Sequence, residues 1–483
     1  MLAAAWIAYW VILALLGLYG THRLFLIALY WATRGRDAPA TPALPDELPV
    51  VTVQLPLFNE MYVAERLIDA VVALDWPTDR LHIQVLDDST DETRELCRAR
   101  CDHWRAQGFD IEHLHRCDRI GFKAGALDAG LARAKGELIL ILDADFIPPP
   151  ALLRETVGHF AEPDVGMVQV RWEHLNRQSS ALTRVQALLL DGHFVVEQTV
   201  RARTGRFFNF NGTAGMWRRR AIDEAGGWHH DTLTEDLDLS YRALLRGWRF
   251  RYLLGRAAPA ELPADINAFK SQQFRWAKGS IQVARKLMPT VLRARIATKV
   301  KIEALFHLTQ NLPYLLTLLL LLLSVPALAL RPARPGEMLW LHLPALGATL
   351  FTLAIYCATS QRALGHSLWK AVAYVPVLMA ITAGICVNQA RAVLEGAVGR
   401  PSEFVRTPKH GLVDMAGKRR GQWRRLRYRG LRDLMPVAEV AMALYMALAI
   451  AVLVLEQRLW ASPFFVLFWA GFAYIGVGSA LRR

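Results

Sequence analysis

Four aspartates stand where two predicted strands end. Asp87 and Asp88 close the run LHIQVLDD, and Asp143 and Asp145 close the run ELILILDAD. The carboxyl ends of parallel strands meet at one edge of an α/β sheet, where ligands bind. Crowded carboxylates repel one another unless a cation neutralises them, and their hard oxygens favour Mg2+ or Mn2+. The Asp143-x-Asp145 pair therefore indicates a divalent metal site, with a solvated turn as the alternative.

A lysine at the start of a predicted helix lies between these two strands. Lys123 is the third residue of GFKAGALDAGL. A lysine and the free N–H groups of a helix start bind phosphate, and Mg2+ and Mn2+ commonly complete their shells with substrate phosphates. The segment predicts a diphosphate site beside the metal.

Two further polar segments follow. FFNFNGTAGMWRR contains Asn211, Gly212 and Thr213, small residues that let a ligand approach the backbone closely. TLTEDLDLSYRALLRGW opens a helix with Glu235 and Asp236. Helix capping by Thr234, with the acids favoured by the helix dipole, is the simpler interpretation of the second segment. A catalytic carboxylate is compatible with it, because a helix start holds such a group rigidly.

The elements that position these residues alternate between β-rich runs and amphipathic helical patterns. This alternation predicts a layered α/β domain on a largely parallel sheet. The predicted strands cover 49–56, 81–88, 137–145 and 165–172, and the predicted helices lie near 60–74, 91–106 and 122–135.

Long apolar segments flank this domain. Hydrophobic residues make up 53% of the 483 residues and are clustered, and a helix crosses a bilayer with about 20 of them. We therefore predict a multi-pass membrane protein. Its expected parts are an anchor (1–33), the α/β domain (48–264), amphipathic interfacial helices (265–301) and a membrane region (303–483) with a cytoplasmic loop (391–435).

The basic residues set the expected orientation. The net charge is +14, but Lys and Arg gather beside the apolar segments rather than forming a nucleic-acid surface, so no nucleic-acid partner is expected. Arg34 and Arg36 follow the first apolar segment, which places the N-terminus outside and the α/β domain in the cytoplasm. We expect the inner (plasma) membrane of a bacterium.

The position of the basic stretch 391–435 depends on how many of the preceding apolar segments cross the membrane. Three apolar segments precede it, near 305–330, 338–358 and 369–390, and three crossings would place it outside. We therefore predict that 369–390, which contains Pro376 and Gly384, is interfacial or re-entrant, giving five spans. Six spans are the alternative.

The ordered motifs resemble the processive family-2 inverting glycosyltransferases, the group that contains cellulose synthase, hyaluronan synthase and the cellulose synthase-like mannan synthases. The similarity covers roughly 48–290 and is strongest to the mannan and glucan synthase-like branch. The D, DxD, D, QxxRW pattern is present as Asp87/Asp88, Asp143-x-Asp145, Asp236 and Gln272-x-x-Arg275-Trp276.

The resemblance implies a GT-A type nucleotide-sugar-binding domain inserted between transmembrane helices, with Asp236 as the general base of a single inverting displacement. It implies that Asp145, with Asp143, holds the metal, that Lys123 and Arg275 neutralise the diphosphate, and that Trp276 stacks on the acceptor sugar. An interfacial position in the membrane is the alternative for Trp276. The other implied substrate-binding residues are Pro56, Asn59, Glu60, Asp87 and Asp88 on the nucleotide side, and Asn211, Gly212, Thr213, Glu235 and Gln272 near the sugars.

The implied reaction moves a hexose from UDP-glucose or GDP-mannose onto a growing β-linked polysaccharide, coupled to its translocation. A non-processive synthase that adds one sugar to a lipid is the alternative, and a non-catalytic membrane scaffold is a third. The segment SEFVRTPKHG also resembles a gating-loop motif of cellulose synthase, although its valine is displaced. This role would require the segment, which includes Phe404 and Lys409, to be cytoplasmic.

Overall fold

A mixed seven-stranded sheet forms the centre of residues 51–260. The computed structural model describes residues 2–36, 42–330, 337–401, 409, 411, 435–455 and 462–481. The strand order is β3-β2-β1-β4-β6-β5-β7, and β6 alone among these seven runs antiparallel to its neighbours. The strands are β1 (Val51–Leu57), β2 (Leu81–Asp87), β3 (Asp110–His115), β4 (Leu138–Ile141), β5 (Val165–His174), β6 (Gly215–Arg218) and β7 (Arg249–Ala260).

The central strands are buried on both faces, and β4 (LILI) is accordingly apolar throughout, whereas β1 and β2 bury the polar residues Thr52, Gln54, His82 and Gln84 on one face. On one face Val53, Leu55 and Leu140 belong to a cluster with the helices that follow β1 and β2. On the other face Ile139 and Ile141 pack with Phe210 and its neighbours. The two clusters fix the register, because a shift by one residue would exchange the faces.

Helices cover both faces of the sheet. They are α2 (Ala64–Val72), α3 (Thr93–Ala106), α4 (Phe122–Arg133), α5 (Leu152–Thr156), α6 (Ala181–Gly192), α7 (Thr199–Arg203), α8 (Arg219–Glu224) and α9 (Glu235–Leu245). A π-helix, His193–Gln198, joins α6 to α7, and short 3-10 helices cover Thr78–Arg80 and Val157–Ala161.

Ten further helices in the described part of the chain lie in the segments predicted to form the anchor, the interfacial helices and the membrane region, and are called the membrane-associated helices below. They are α1 (Leu2–Ala32), α10 (Ile266–Arg293), α11 (Thr298–Leu308), α12 (Leu312–Leu330), α13 (Glu337–Ala363), α14 (Leu368–Ala373), α15 (Val375–Gly384), α16 (Cys386–Val398), α17 (Met435–Leu455) and α18 (Ser462–Leu481).

Three to five of these helical units are long and apolar enough to cross a membrane. Helices α1, α17 and α18 qualify individually among the described residues. Two bent pairs qualify jointly: α11 with α12, which meet at 56°, and α15 with α16, which meet at 51°. The second bend falls inside the segment for which the sequence predicts an interfacial or re-entrant course.

Helix α10 connects the sheet domain to the membrane-associated helices. Lys270 Nζ lies 2.5 Å from Glu439 Oε1 on α17, and Lys278 Nζ lies 2.9 Å from Glu395 Oε2 on α16. Both lysines are buried. A buried charge is tolerated when it is paired, so these contacts fix the position of the helix that carries the QxxRW motif.

Candidate active site

The Asp143-x-Asp145 pair follows β4 directly and lies among cations. Lys123 Nζ donates to Asp143 Oδ1 at 2.6 Å and to the Gly212 carbonyl at 2.9 Å. Burial alone would raise the pKa of Asp143, but Lys123 and Lys409 outweigh burial, so its pKa is lowered. The same pairing raises the pKa of Lys123 against its own desolvation. Both groups are therefore charged at neutral pH.

The second aspartate is paired with a lysine far along the chain. Lys409 Nζ donates to Asp145 Oδ1 at 2.5 Å. Burial raises the pKa of Asp145, and Lys409 opposes this increase. Arg66 donates to the Asp145 carbonyl at 3.3 Å and pairs with Glu261 at 2.6 Å, which holds the backbone of the loop.

The two carboxylates fit a divalent cation. Each already attracts an ammonium group at 2.5 to 2.6 Å, so the electrostatic field at this position favours positive charge. Their hard oxygens suit Mg2+ or Mn2+, and two protein carboxylates leave most of an octahedral shell to water and phosphate. Asp143 and Asp145 are therefore able to hold a metal that arrives with a diphosphate.

Glu235 and Asp236 form a coupled acidic pair at the start of α9. Asp236 Oδ1 accepts from the Leu237 N–H at 2.8 Å. Burial, and next the adjacent Glu235, raise the pKa of Asp236 to about 7, and burial also raises the pKa of Glu235. A carboxylate with a pKa near 7 is well matched to proton abstraction at neutral pH.

The capping interpretation of Thr234 is wrong. Thr234 occupies the N-cap position, but its side chain accepts no hydrogen bond from the helix. Its hydroxyl is buried and lies 2.6 Å from the position that a Cβ on Gly279 would occupy. The side chain is used for close packing against α10, whereas the acids still lie in the first turn of α9, where the helix dipole favours them.

The Asn211–Thr213 turn brings the pieces of the site together. A Cβ on Gly212, where φ is +81°, would lie 3.1 Å from Asp236 Oδ2 and 3.6 Å from Lys123 Nζ. Thr213 Oγ1 accepts from the Asp143 N–H at 2.8 Å. The predicted base Asp236, the predicted diphosphate-binding Lys123 and the loop that carries Asp143 therefore meet at one glycine.

The QxxRW residues of α10 also belong to this site. Burial lowers the pKa of Arg275, while Glu235, Asp143, Asp236 and Glu60 act in the opposite direction, so the guanidinium faces the acidic groups of the site. The Trp276 ring lies 6.5 Å from the Trp172 ring, and both line a cavity together with Gln272.

That cavity extends from the acids into the membrane-associated helices. Its volume is about 900 Å³, and its lining includes Asp236 and Trp276 at one end and Tyr314 and Phe468 among the helices. Aromatic faces and scattered polar side chains suit a sugar chain, because C–H faces stack and hydroxyls hydrogen-bond.

The residues predicted to contact the nucleotide lie at the ends of β1 and β2. Asp87 is fully buried and pairs with His113 at 2.9 Å, and Asp88 makes a bidentate pair with Arg116 at 2.8 and 2.6 Å. Burial would raise the pKa of Asp87, but His113 and Ser89 outweigh it and lower the value.

The other nucleotide-side residues lie beside this pair. Asn59 donates its backbone N–H to Ser89 Oγ at 2.8 Å, Pro56 is half-buried and Glu60 is buried. Contact of these five residues with a nucleotide stays a prediction.

Sequence reasoning missed several residues of the site. Arg66 and Arg116 hold aspartates of the two strand ends, and Trp172 and His193 line the cavity. Trp172 ends a predicted strand and carries a large aromatic surface, which was an available signal. A single arginine or histidine has no spacing that would have identified it. Phe404 lies outside the described residues, whereas Lys409 of the same motif reaches Asp145.

Comparison with known proteins confirms the family resemblance over the sheet domain. Residues 49–279 match the family model described as Glycosyltransferase like family 2. The chain is 44% identical over 279 residues to glucomannan 4-beta-mannosyltransferase 2 of Arabidopsis thaliana, covering 56% of this chain and 52% of that protein. It is 43% identical over 268 residues to glucomannan 4-beta-mannosyltransferase 1 of Oryza sativa subsp. japonica, covering 54% and 51%.

The chain spans about half the length of these curated relatives. They are plant proteins and give no support to the bacterial membrane expected from the sequence. The fold is similar to that of a mannosyltransferase from Pyrobaculum calidifontis in complex with GDP-Man and Mn2+, with a TM-score of 0.53, 20% identity, and coverage of 74% of this chain and 99% of that one. The sheet domain is thus GT-A-like.

Proposed function

From the match of residues 49–279 to family-2 glycosyltransferases, we propose that the chain is a membrane-bound inverting mannosyltransferase. It transfers mannose from GDP-mannose to a growing β-1,4-linked mannan or glucomannan. The observation that carries this proposal is the meeting of Asp236, Lys123 and the Asp143 loop at Gly212, beside a cavity that leads into the membrane helices. The relatives named above favour mannose over glucose as the donor sugar.

The reaction is a single displacement at the anomeric carbon. Asp236 takes the proton from the acceptor hydroxyl as that oxygen attacks, and the nucleoside diphosphate leaves from the opposite face, so the configuration inverts. Lys123 and Arg275 stabilise the negative charge that develops on the leaving diphosphate. A bound Mg2+ or Mn2+, held by Asp143 and Asp145, supplies further charge stabilisation.

The cavity favours a polymer product over a single glycosylated lipid. Trp276 and Trp172 form an aromatic surface in the cavity that Asp236 also lines, and the cavity continues past Tyr19 and Tyr314 between α1, α12 and α13. A volume of about 900 Å³ accommodates several sugar rings. This continuity supports coupling of transfer to translocation, with the polysaccharide as acceptor and the bilayer as the surrounding phase.

The proposal is tested by incubating membranes that contain the protein with radiolabelled GDP-mannose or UDP-glucose, in the presence of Mn2+ or Mg2+. We expect incorporation from GDP-mannose into a high-molecular-weight product that an endo-β-mannanase degrades. The Asp236→Asn variant serves as a matched control, because it removes the base with little change in size and should bind GDP while transferring no mannose. A product that is extracted into organic solvent and carries one sugar would instead establish the glycolipid synthase, and incorporation from UDP-glucose alone would refute the donor assignment.

A further inference from the structure

The amide of Asn211 is held on both sides by the π-helix His193–Gln198. Gln198 Nε2 donates to Asn211 Oδ1 at 2.7 Å and to the Asn209 carbonyl at 3.0 Å. On the other side, Asn211 Nδ2 lies 3.1 Å from His193 Nε2. A π-helix is rare and is frequently found at functional sites, and this one offers two side chains to the same amide.

The directions of these hydrogen bonds are determined by chemistry. The Asn209 carbonyl only accepts, so the Gln198 atom that faces it is the donor Nε2. The Asn211 atom facing the same Nε2 is therefore its oxygen, which turns Nδ2 toward His193. An amide nitrogen only donates, so His193 Nε2 accepts and its ring proton lies on Nδ1.

A buried carboxylate fixes that tautomer. His193 Nδ1 lies 3.2 Å from Glu197 Oε2, and Glu197 also accepts from the Tyr356 hydroxyl at 2.8 Å. Gly192, immediately before the π-helix, makes this approach possible, because a Cβ there would lie 2.0 Å from the Tyr356 ring. A Tyr–Glu–His–Asn chain thus runs from Tyr356 on α13, through the π-helix, to the turn that adjoins Asp236.

The chain leaves Asn211 with capacity for a ligand. Its nitrogen has two hydrogens, of which one is used by His193, and its oxygen has two lone pairs, of which one is used by Gln198. Asn211, His193 and Asp236 line the same cavity. One donor and one acceptor at fixed positions match a pair of adjacent sugar hydroxyls.

We infer that His193 is a positioning residue for glycosyl transfer, which acts by holding the Asn211 amide in the orientation that binds a sugar hydroxyl beside Asp236. The inference rests on the proposed function. His193 itself does not contact the reacting atoms. Its removal frees the amide to rotate, and misplacement of a bound sugar by about 1 Å costs roughly 100-fold in rate.

The test compares His193→Ala with His193→Gln in membranes, with mannan synthesis normalised to the number of GDP-binding sites. Glutamine restores an acceptor oxygen for Asn211 Nδ2, whereas alanine does not. We expect kcat to fall 10-fold to 100-fold in His193→Ala. In His193→Gln, kcat should recover at least half of that loss on a logarithmic scale. In both variants the Kd for GDP with Mn2+ should stay within 2-fold of the wild type. Equal loss in both variants, or loss of GDP binding in parallel with kcat, would overturn the inference.

A double-variant measurement separates action through Asn211 from a general structural role. In the Asn211→Ala background, His193→Ala should reduce kcat by less than 2-fold further, because the amide that it positions is already absent. Multiplicative losses would contradict the inference. A wild-type protein that makes no mannan from GDP-mannose would refute the proposed function instead, so the two failures are distinguishable.

Discussion

The pair Glu235 and Asp236 gives the site a defined pH dependence. Burial and the neighbouring Glu235 raise the pKa of Asp236 to about 7, and a general base works only in its ionised form. We therefore expect kcat/KM for mannose transfer to fall as the pH decreases through about 7. Glu235→Gln removes the neighbouring negative charge, so it should move this decrease to lower pH. Profiles of kcat/KM from about pH 5 to about pH 9 for both proteins test this expectation. An unchanged profile in Glu235→Gln would show that the two carboxylates do not interact.

The carboxylate of Asp145 should determine metal-dependent donor binding. Its replacement in Asp145→Ala removes one of two oxygen-bearing ligands and leaves Lys409 facing an uncharged side chain. We expect the increase in GDP affinity caused by Mn2+ to disappear, as measured by titration calorimetry in detergent. Asp102→Asn is the control, because its carboxylate is exposed on α3 and pairs with Arg105 instead. Full Mn2+ dependence in Asp145→Ala would assign the metal to other residues.

At the scale of elements, the Asn211–Thr213 turn depends on glycine for two separable reasons. Gly212 has a positive φ, and its missing Cβ leaves room for Asp236. Alanine there should destabilise the fold by about 1–2 kcal/mol and reduce transfer about 100-fold. Gly205→Ala is the matched control, since Gly205 also has a positive φ but a Cβ added to it would meet no described atom within 4 Å. It should show a similar decrease in Tm with nearly normal transfer, and equal activity in both variants would contradict the steric argument.

The ion pair between α2 and the residue that follows β7 supports the loop that carries Asp145. Arg66 and Glu261 are 6% and 3% exposed, so removing one partner leaves a buried charge. Arg66→Met should destabilise the protein by about 3–5 kcal/mol, detected as a lower Tm. The double variant Arg66→Met, Glu261→Leu should recover most of this loss, because it buries no charge. A double variant as unstable as the single one would indicate that Arg66 acts mainly through the Asp145 carbonyl.

The elements differed in how well the sequence predicted them. The patterns of β1, β2, β4 and β5 were clear because buried apolar residues, many of them β-branched, recur along each of these strands. Strand β3 (DIEHLH) is polar at the sheet edge, β6 has four residues, and β7 contains arginines, glycine and proline, so none has a strong pattern. The antiparallel course of β6 follows from contacts between distant segments, which explains why the prediction of a largely parallel sheet missed it.

The residues of the candidate site also differ in how well the sequence predicted them. Asp143, Asp145, Asp236 and Arg275 were identified because their motifs occur in a recognisable order. The π-helix, the packing of Thr234 on Gly279 and the contact between residues 145 and 409 depend on the three-dimensional path of the chain. Local sequence spacing contains no information about such contacts.

At the scale of the whole molecule, the contact of Lys409 with Asp145 bears on topology. If α12 and α13 each cross the membrane, the chain at Ala363 is back on the side of the sheet domain. A third crossing by α15 and α16 would place residue 409 on the opposite side, away from Asp145. The contact therefore requires an even number of crossings between the sheet domain and residue 409, in agreement with the positive charge of 391–435, and a re-entrant bent pair meets this requirement when α12 and α13 both cross.

Cysteine labelling tests this topology. In a variant lacking the exposed Cys117, we introduce one cysteine at Val398, which is 81% exposed at the end of α16, or at Arg98 on the sheet domain as a reference. Both should resist an impermeant thiol reagent in intact cells and react after the membrane is opened. Labelling of Val398 alone in intact cells would show that α15 and α16 cross together, and labelling of both would reverse the predicted orientation. The positions Ser402 and Gln422, which extend the test, lie outside the described residues.

The ammonium of Lys409 beside Asp145 also has a kinetic consequence. In the structure Asp143 pairs with Lys123 and Asp145 pairs with Lys409. A metal ion binding to these carboxylates would therefore compete with two lysine side chains of the same chain. A diphosphate bound here would supply further oxygen ligands to such a metal and an anionic partner for Lys409. If Asp143 and Asp145 hold the metal, we therefore expect ordered binding, with Mn2+ alone binding weakly and Mn2+ with GDP binding together, because Lys123 and Lys409 already neutralise both carboxylates.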